Sequence, residues 1–460
     1  MLNLGTDLTT QKTLHLSLDA LRRHVYLCGA TGTGKTTLLD SFMHSLFQTK
    51  FGFCFIDPHG DKAEEIADAV PEHRLNDIIY FDPSELSYTI SYNPLAAIPL
   101  DDRHLAASQI LAVFIQVWKL NLESTPRLQP MLYNALRLLL DTSGSTLLDI
   151  SRLLHDEKYR IGLINGCEDG YVRDYWETTF MGWDKRYRDD AVAAVDNRIG
   201  VFATDPILRS VVGQPNSTLS LSAVMDRGQI LICNLSKGRM GDETSHMLGA
   251  LVTVGLTQAM QKRAATPETD RLDFTLLIDE FQNFVTPSFA TVLAEARKYR
   301  LSLVLANQLL NQIPEFVREA ILGTANTKIV FRCGPTDAGT LAPEFGLHTP
   351  VVNDDSPAFA YCEKGLHTPQ VLTEMPNYQA WVRTIEDGRV CQPAQVVTQP
   401  SAPRQGRLPG IRAHTRSHYA RSRAQVEALL HPGAVRQRTR ARDARPRRVV
   451  EERVQKFLDS

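Results

Sequence analysis

The chain has 460 residues and a formal net charge of −2, long enough for roughly two to three domains and a large buried core. Its seven cysteines (Cys28, Cys54, Cys167, Cys233, Cys333, Cys362 and Cys391) show no C-x-x-C spacing and mostly lie in apolar runs. They imply no disulfide framework or zinc site and read as buried, reduced thiols of a cytosolic protein. No apolar stretch approaches the ~18 residues of a membrane span, so the chain is expected to be soluble.

Residues 1–20 alternate polar and apolar side chains, notably from Thr13 to Leu18, and predict an edge strand or hairpin. The apolar run His24 to Cys28 then leads into Gly29, Ala30, Thr31, Gly32, Thr33, Gly34, Lys35, Thr36 and Thr37, which satisfies the P-loop pattern G-x-x-x-x-G-K-[ST]. A strand feeding a glycine loop that opens a helix points backbone N–H groups at phosphates, where the helix dipole favours negative charge. Lys35 is placed to reach the β- and γ-phosphates and Thr36 to ligate Mg²⁺. A chance Gly/Thr turn would need the lysine, the hydroxyl and the flanking elements to coincide.

Phe51 to Ile56 is a continuous apolar run ending in Asp57, as expected of a parallel strand buried on both faces. Asp57, His59 and Asp61 place carboxylate and imidazole two residues apart. As βα-loop neighbours of a nucleotide site, Asp57 and His59 are more simply partners of Mg²⁺ and Lys35 than ligands of a dedicated transition metal. Asn93 and Pro94 shape a turn and carry no chemistry.

Helical spacing dominates from about 101 to 205, with Leu111, Phe114 and Trp118, then Leu128, Leu132, Leu136 and Leu139, predicting an all-α insertion. Within it Tyr171, Tyr175, Trp176, Trp183 and Tyr187 lie among Lys185, Arg186 and Arg188. That mix suits base stacking and phosphate contact, and equally suits a small helical core with a solvated face.

Strands return at Gln229 to Leu235, followed by a helix over roughly 242–263 and the run Phe274 to Ile278, which ends in Asp279 and Glu280. The two carboxylates fall at a strand's C-terminal tip, where α/β sheets bind ligands. Asp279 would hold Mg²⁺ through water and Glu280 would polarise the attacking water. A helix to about 299 and the strand Ser302 to Ala306 follow, then short strands at Lys328 to Arg332 and Tyr378 to Arg383. Alternating strands and helices predict an α/β fold with a mostly parallel, doubly wound sheet.

A Pro/Gln-rich linker is expected at about 392–409. The last sixty residues hold fifteen Arg and Lys against five Asp and Glu, leaving the remainder near −12, so charge is segregated by segment. Arg436, Arg438, Arg440, Arg442, Arg445, Arg447 and Arg448 could track nucleic-acid phosphates without sequence preference, or merely be solvated. Val450, Val454, Phe457 and Leu458 fall at helical spacing and suit a short amphipathic helix that docks on a partner.

Arg23-His24 with the P-loop, the element Phe55-Ile-Asp57-Pro58-His59-Gly60-Asp61 and Tyr92-Asn93-Pro94-Leu95 together resemble the HerA/FtsK superfamily. Within it the chain resembles the TraG/TraD-type coupling ATPases of conjugation and type IV secretion. The resemblance continues through Leu277 to Gln282, Glu295 to Tyr299, Leu303 to Gln308 and Phe331 to Ala338, and covers about residues 10–400. It implies a RecA-like motor that forms hexameric rings, hydrolyses ATP at subunit interfaces and moves DNA, single- or double-stranded, through a central channel.

The same resemblance implies that Gln308 senses the γ-phosphate or lytic water. It further implies that Arg297 is an arginine finger for the neighbouring subunit and that Arg332 is a second phosphate sensor. Bland alternatives are a polar strand cap for Gln308, an i,i+4 pair on an exposed helix for Arg297, and a strand-capping arginine for Arg332. The implied organisation is a RecA-like domain split into residues 1–100 and 206–391, an all-α domain at 101–205, and a linker with arginine-rich tail at 392–460.

Membrane-anchored coupling proteins carry an N-terminal pair of transmembrane helices, and HerA-type repair motors carry a β-barrel before the P-loop. The sequence shows neither feature. The expectation is a cytoplasmic protein, peripheral at the inner face of the membrane only through secretion-channel or relaxosome partners. A HerA-type repair or packaging motor and an ATPase of protein secretion or assembly stay open. Adenine selection rests on the resemblance. Glu280 and Gln308 argue against an NTP-binding regulator without turnover.

Overall fold

A computed structural model describes residues 1–121, 126–286, 289–347, 368–386, 388–401 and 403–430. The expectations for the arginine-rich stretch 436–448 and for a helix at 449–458 lie outside the described residues.

The apolar runs assemble side by side. Val25–Cys28 (β3), Gly52–Asp57 (β4), Ile78–Phe81 (β5), Ile230–Asn234 (β7), Phe274–Ile278 (β8), Leu301–Asn307 (β9) and Thr327–Val330 (β10) form a parallel array in the order β10-β3-β9-β8-β4-β7-β5. Every residue of these strands is buried, because helices cover both faces and leave no solvated side on which a polar residue could alternate. Period-two geometry sorts the side chains: Phe53 and Phe55 enter one core with Leu38 and Phe42 of the helix Lys35–Phe47. Cys54 and Ile56 enter the other core with Leu248 and Leu251 of the helix Asp242–Lys262.

Beyond β10 the sheet turns antiparallel. The hairpin Leu2–Asp7 (β1) and Thr13–Leu16 (β2) lies at the edge, joined to the array through Gln379–Arg383 (β11) and Ala394–Val397 (β14), in the order β2-β1-β14-β11-β10. Ile385–Glu386 (β12) and Arg389–Val390 (β13) form a small separate hairpin.

Residues 394–397 therefore belong to the sheet, in the stretch where a linker was expected. Only Val396 of β14 is fully buried, so the strand carries a weak apolar signal and exists because β1 and β11 flank it. The chain then continues as the helix Leu408–Tyr419 packed on β5. Asp68 anchors its entry by accepting from the backbone N–H groups of Gln405 (2.7 Å), Gly406 (2.8 Å) and Leu408 (2.9 Å). Ala420–Ser422 (β15) pairs with Tyr88–Ile90 (β6).

Among the described residues no strand lies between β6 and β7. Helices fill that span, including Arg103–Val117, Leu128–Leu140 and Lys185–Thr204. Their aromatics make a packed ladder. Trp176 and Phe180 are fully buried, and rings 5.5 Å and 5.1 Å apart link Phe180 to Trp183 and Trp183 to Tyr187, which Arg127 covers at 3.8 Å. Of the aromatics singled out in the sequence, Trp176 thus lies in a helical core, while Tyr175, Trp183 and Tyr187 are half-buried. Tyr171, 92% exposed, stands outside it. No helix among the described residues is long and apolar enough to cross a membrane.

Candidate active site

The P-loop connects β3 to the helix Lys35–Phe47. Gly34, with φ of +119°, turns the chain into the helix, and a Cβ on Gly29 would lie 2.6 Å from the Cβ of Phe331, so the loop needs glycine at both points. Thr33 closes the turn by donating from Oγ1 to the Ala30 carbonyl at 2.7 Å. Thr36 and Thr37 open the helix half-buried, while Thr31 and Gly32 are exposed. Lys35 is buried, and its Nζ donates to the carbonyls of Gly29 (2.5 Å) and Ala30 (3.1 Å). Burial draws its pKa down, opposed by the charges of Asp279 and Glu280.

In the sheet, β9 separates the P-loop strand β3 from the carboxylate strand β8. Asp279 follows β8 and is held by its N–H donating to the Ile56 carbonyl at 3.2 Å. Its Oδ2 accepts from Thr36 Oγ1 at 3.4 Å and its Oδ1 from the Glu280 N–H at 3.0 Å. Burial, then the neighbouring charges of Glu280 and Asp57, push its carboxyl up to about 6. A buried cluster of negative charge beside a hydroxyl fits Mg²⁺, which takes hard oxygen donors. Thr36 and Asp279 are the residues placed to hold it.

Glu280 stands in left-handed conformation (φ 49°, ψ 47°) and is buried. Such a backbone is strained for a non-glycine residue and clusters at functional sites. Its two carboxylate oxygens each accept from an amide: Oε1 from Gln308 Nε2 at 2.6 Å and Oε2 from Gln282 Nε2 at 2.8 Å. Gln308 directly follows β9, and its Oε1 accepts from Thr31 Oγ1 at 2.9 Å. A continuous chain, Thr31 to Gln308 to Glu280 to Gln282, thus ties the P-loop to the carboxylate. Gln282 continues it to Gln312 Oε1 at 3.3 Å.

The other expected site residues lie differently. Both oxygens of Asp57 are taken by backbone N–H groups, of His59 at 2.8 Å and Ala63 at 2.9 Å, so it shapes its own loop. His59 is exposed, and both act on Asp279 through charge. Arg332 is half-buried two residues beyond β10, on the flank of β3 away from the carboxylates, where Nη1 donates to the Met375 carbonyl at 3.5 Å. Arg297 precedes β9 and so lies at the opposite end of that strand from Gln308. Its side chain is 51% exposed and 3.7 Å from Asp19.

Two neighbours of the site carried little signal in the sequence. Gln282 looks like an ordinary turn residue until its amide is seen on Glu280. Tyr378 reaches the P-loop only through the long-range antiparallel return of β11, with its N–H donating to the Thr33 carbonyl at 2.6 Å.

Comparison with known proteins bears on the family and the fold. Residues 2–252 match the family described as helicase HerA, central domain, and residues 273–356 match the TraM recognition site of TraD and TraG. No curated protein sequence matches. Among solved structures, the unbound bacterial conjugative coupling protein TrwB is similar at 16% identity and TM-score 0.59, over 85% of this chain and 87% of that one. TrwB with the ATP analogue ADPNP is similar at TM-score 0.60 and 16% identity, over 85% and 88%. VirB4 of Thermoanaerobacter pseudethanolicus is similar at TM-score 0.58 and 13% identity, over 87% and 96%. At these identities the likeness shows a shared RecA-like fold. With more than half of its length in the HerA match, the chain belongs to the HerA/FtsK superfamily of P-loop ATPases and resembles its TraG/TraD coupling-protein branch.

Proposed function

We propose that this protein is an ATP-hydrolysing, ring-forming DNA translocase resembling a conjugation or type IV secretion coupling protein. The observation that carries the enzymatic part is the hydrogen-bonded chain from Thr31 through Gln308 to Glu280, beside Lys35 and Asp279. It couples the loop that binds phosphates to the carboxylate that acts on water.

In this reading the loop N–H groups and the Lys35 ammonium bind the triphosphate. Thr36 and Asp279 would hold Mg²⁺, which when bound would supply positive charge to offset the charge that develops on the phosphates. Glu280 accepts a proton from the attacking water, and the amides of Gln308 and Gln282 hold its two oxygens in place. Gln308 links Glu280 to Thr31 and so responds to the γ-phosphate. Arg297 completes the site of a neighbouring copy, an arrangement that a head-to-tail ring supplies. DNA is the proposed track. The protein acts in the cytoplasm, with secretion-channel or relaxosome proteins as partners.

The test is steady-state ATP hydrolysis by purified protein, alone and with single- or double-stranded DNA at low salt, with Lys35→Ala as control. Stimulation by one DNA form, lost in Lys35→Ala, supports the motor and identifies its track. An appreciable rate indifferent to both forms overturns the translocase in favour of a protein-handling ATPase.

A further inference from the structure

The site's two flanks differ in what they offer a nucleotide. Glu280, Gln308 and Asp279 all stand on the β9 and β8 side of the P-loop strand. The γ-phosphate must face that side, because the attacking water and the cation belong there. The nucleoside, at the other end of the triphosphate, then leaves the loop on the β10 and β11 side. Tyr378 immediately precedes β11 on that side.

Tyr378 is fitted closely to the loop. Its Cδ1 lies 3.2 Å, and its Cα 3.0 Å, from the position that a Cβ on Gly34 would occupy, so the ring borders the N-terminus of the phosphate-binding helix. The residue is nevertheless 51% exposed. The backbone has φ of +65°, uncommon for a bulky residue. Three hydrogen bonds hold it there: its N–H to the Thr33 carbonyl at 2.6 Å, and its carbonyl accepting from the Thr398 N–H at 2.8 Å and Oγ1 at 3.2 Å. A turn pinned to the P-loop thus leaves an aromatic residue half exposed on the flank opposite the carboxylates.

We propose that Tyr378 is the stacking platform for the base of the bound nucleoside triphosphate, an inference that rests on the nucleotide-binding reading of the P-loop. An aromatic face reads the π-surface of a base and not its hydrogen-bonding edge. Tyr378 therefore adds affinity for ATP and GTP alike and favours purines, which offer the larger surface.

The test is calorimetric titration of the full chain with Mg·ATP, Mg·GTP and Mg·tripolyphosphate, comparing wild type with Tyr378→Leu, Tyr378→Phe and Lys35→Ala. Leucine keeps bulk and β-carbon but removes the π-face. Tyr378→Leu is expected to weaken ATP and GTP about 10-fold while leaving tripolyphosphate unchanged, and Tyr378→Phe to bind as wild type. Undiminished ATP affinity in Tyr378→Leu, or an equal loss for tripolyphosphate, overturns the stacking role; the latter makes Tyr378 a support of loop shape alone. Failure of the wild type to bind either ligand, or binding unaffected by Lys35→Ala, is a failure of the nucleotide reading itself and is distinguished by that control.

Discussion

The two ends of β3 and β9 make opposite uses of charge. At their C-terminal ends, Lys35, Asp279, Glu280 and Gln308 are turned inward and hydrogen-bonded to one another or to the loop. At their N-terminal ends, His24 is buried and uncharged, while Arg297 projects with half its side chain in water and a partly exposed Asp19 3.7 Å away. One end is an internally satisfied half-site, and the other offers a cation. The seven residues of β9 separate them by about 23 Å. An arginine at that distance cannot serve the phosphates of its own chain, so the proposed finger role requires a head-to-tail neighbour.

The sharpest way to break this comparison is to separate the two ends genetically. Arg297→Ala is expected to lower kcat by about 10³-fold or more while leaving nucleotide affinity within about twofold, since an arginine finger acts on the transition state. Lys35→Ala is expected to be equally inactive. Mixing the two variants should restore measurable hydrolysis, because some interfaces then pair an intact Lys35 with an intact Arg297. Absence of recovery, with both variants folded and mixed assembly verified, would remove the trans role and leave Arg297 as a surface residue paired with Asp19.

A smaller effect tests the inward-facing end. Glu280→Gln should cost about 10²–10⁴-fold in kcat with nucleotide binding retained, the range of a lost general base. Gln282→Ala removes one of the two amides on that carboxylate and should cost about tenfold in kcat with KM nearly constant, since Gln308 still holds Oε1. Equal losses in the two variants would mean that Gln282 supports the turn and does not merely position Glu280.

What the sequence made legible follows the same division. The P-loop, Asp279 and Glu280 sit at strand tips whose apolar runs announce them, so local pattern is enough to find them, whereas Gln308 was singled out through the family resemblance. The clamp from Gln282 and the position of Tyr378 depend on side-chain direction and on a strand that returns from far along the chain, neither of which leaves a periodic trace. The strand Ala394–Val397 was hidden for a related reason. With one fully buried residue it is a strand by virtue of its neighbours β1 and β11. In the helical stretch, the aromatics read equally as stacking groups or core, and burial of Trp176 against Phe180 resolves that one as core.

The smallest expected effect lies at the N-terminal ends of the strands and concerns stability. His24 Nε2 donates to the Leu293 carbonyl at 3.0 Å, and Nδ1 accepts from the Leu303 N–H at 3.2 Å, so the fold requires the neutral ring. Burial, reinforced by the nearby charge of Arg297, holds its pKa down at about 4 against an ordinary value of 6.5. Between those values the unfolded chain binds a proton that the folded chain does not, so stability falls as pH drops through that window and is unaffected above it. From pH 7.5 to 5 the loss attributable to His24 is about 2 kcal/mol. Urea unfolding at the two pH values should show that loss in the wild type and a smaller one in His24→Asn, which tolerates the left-handed backbone at φ of 66°. Arg297→Ala should also shrink it slightly, because removing the arginine's charge lets the imidazole protonate more readily. An unchanged pH dependence in both variants would mean that the acid sensitivity arises elsewhere and that the buried histidine and the exposed arginine are uncoupled.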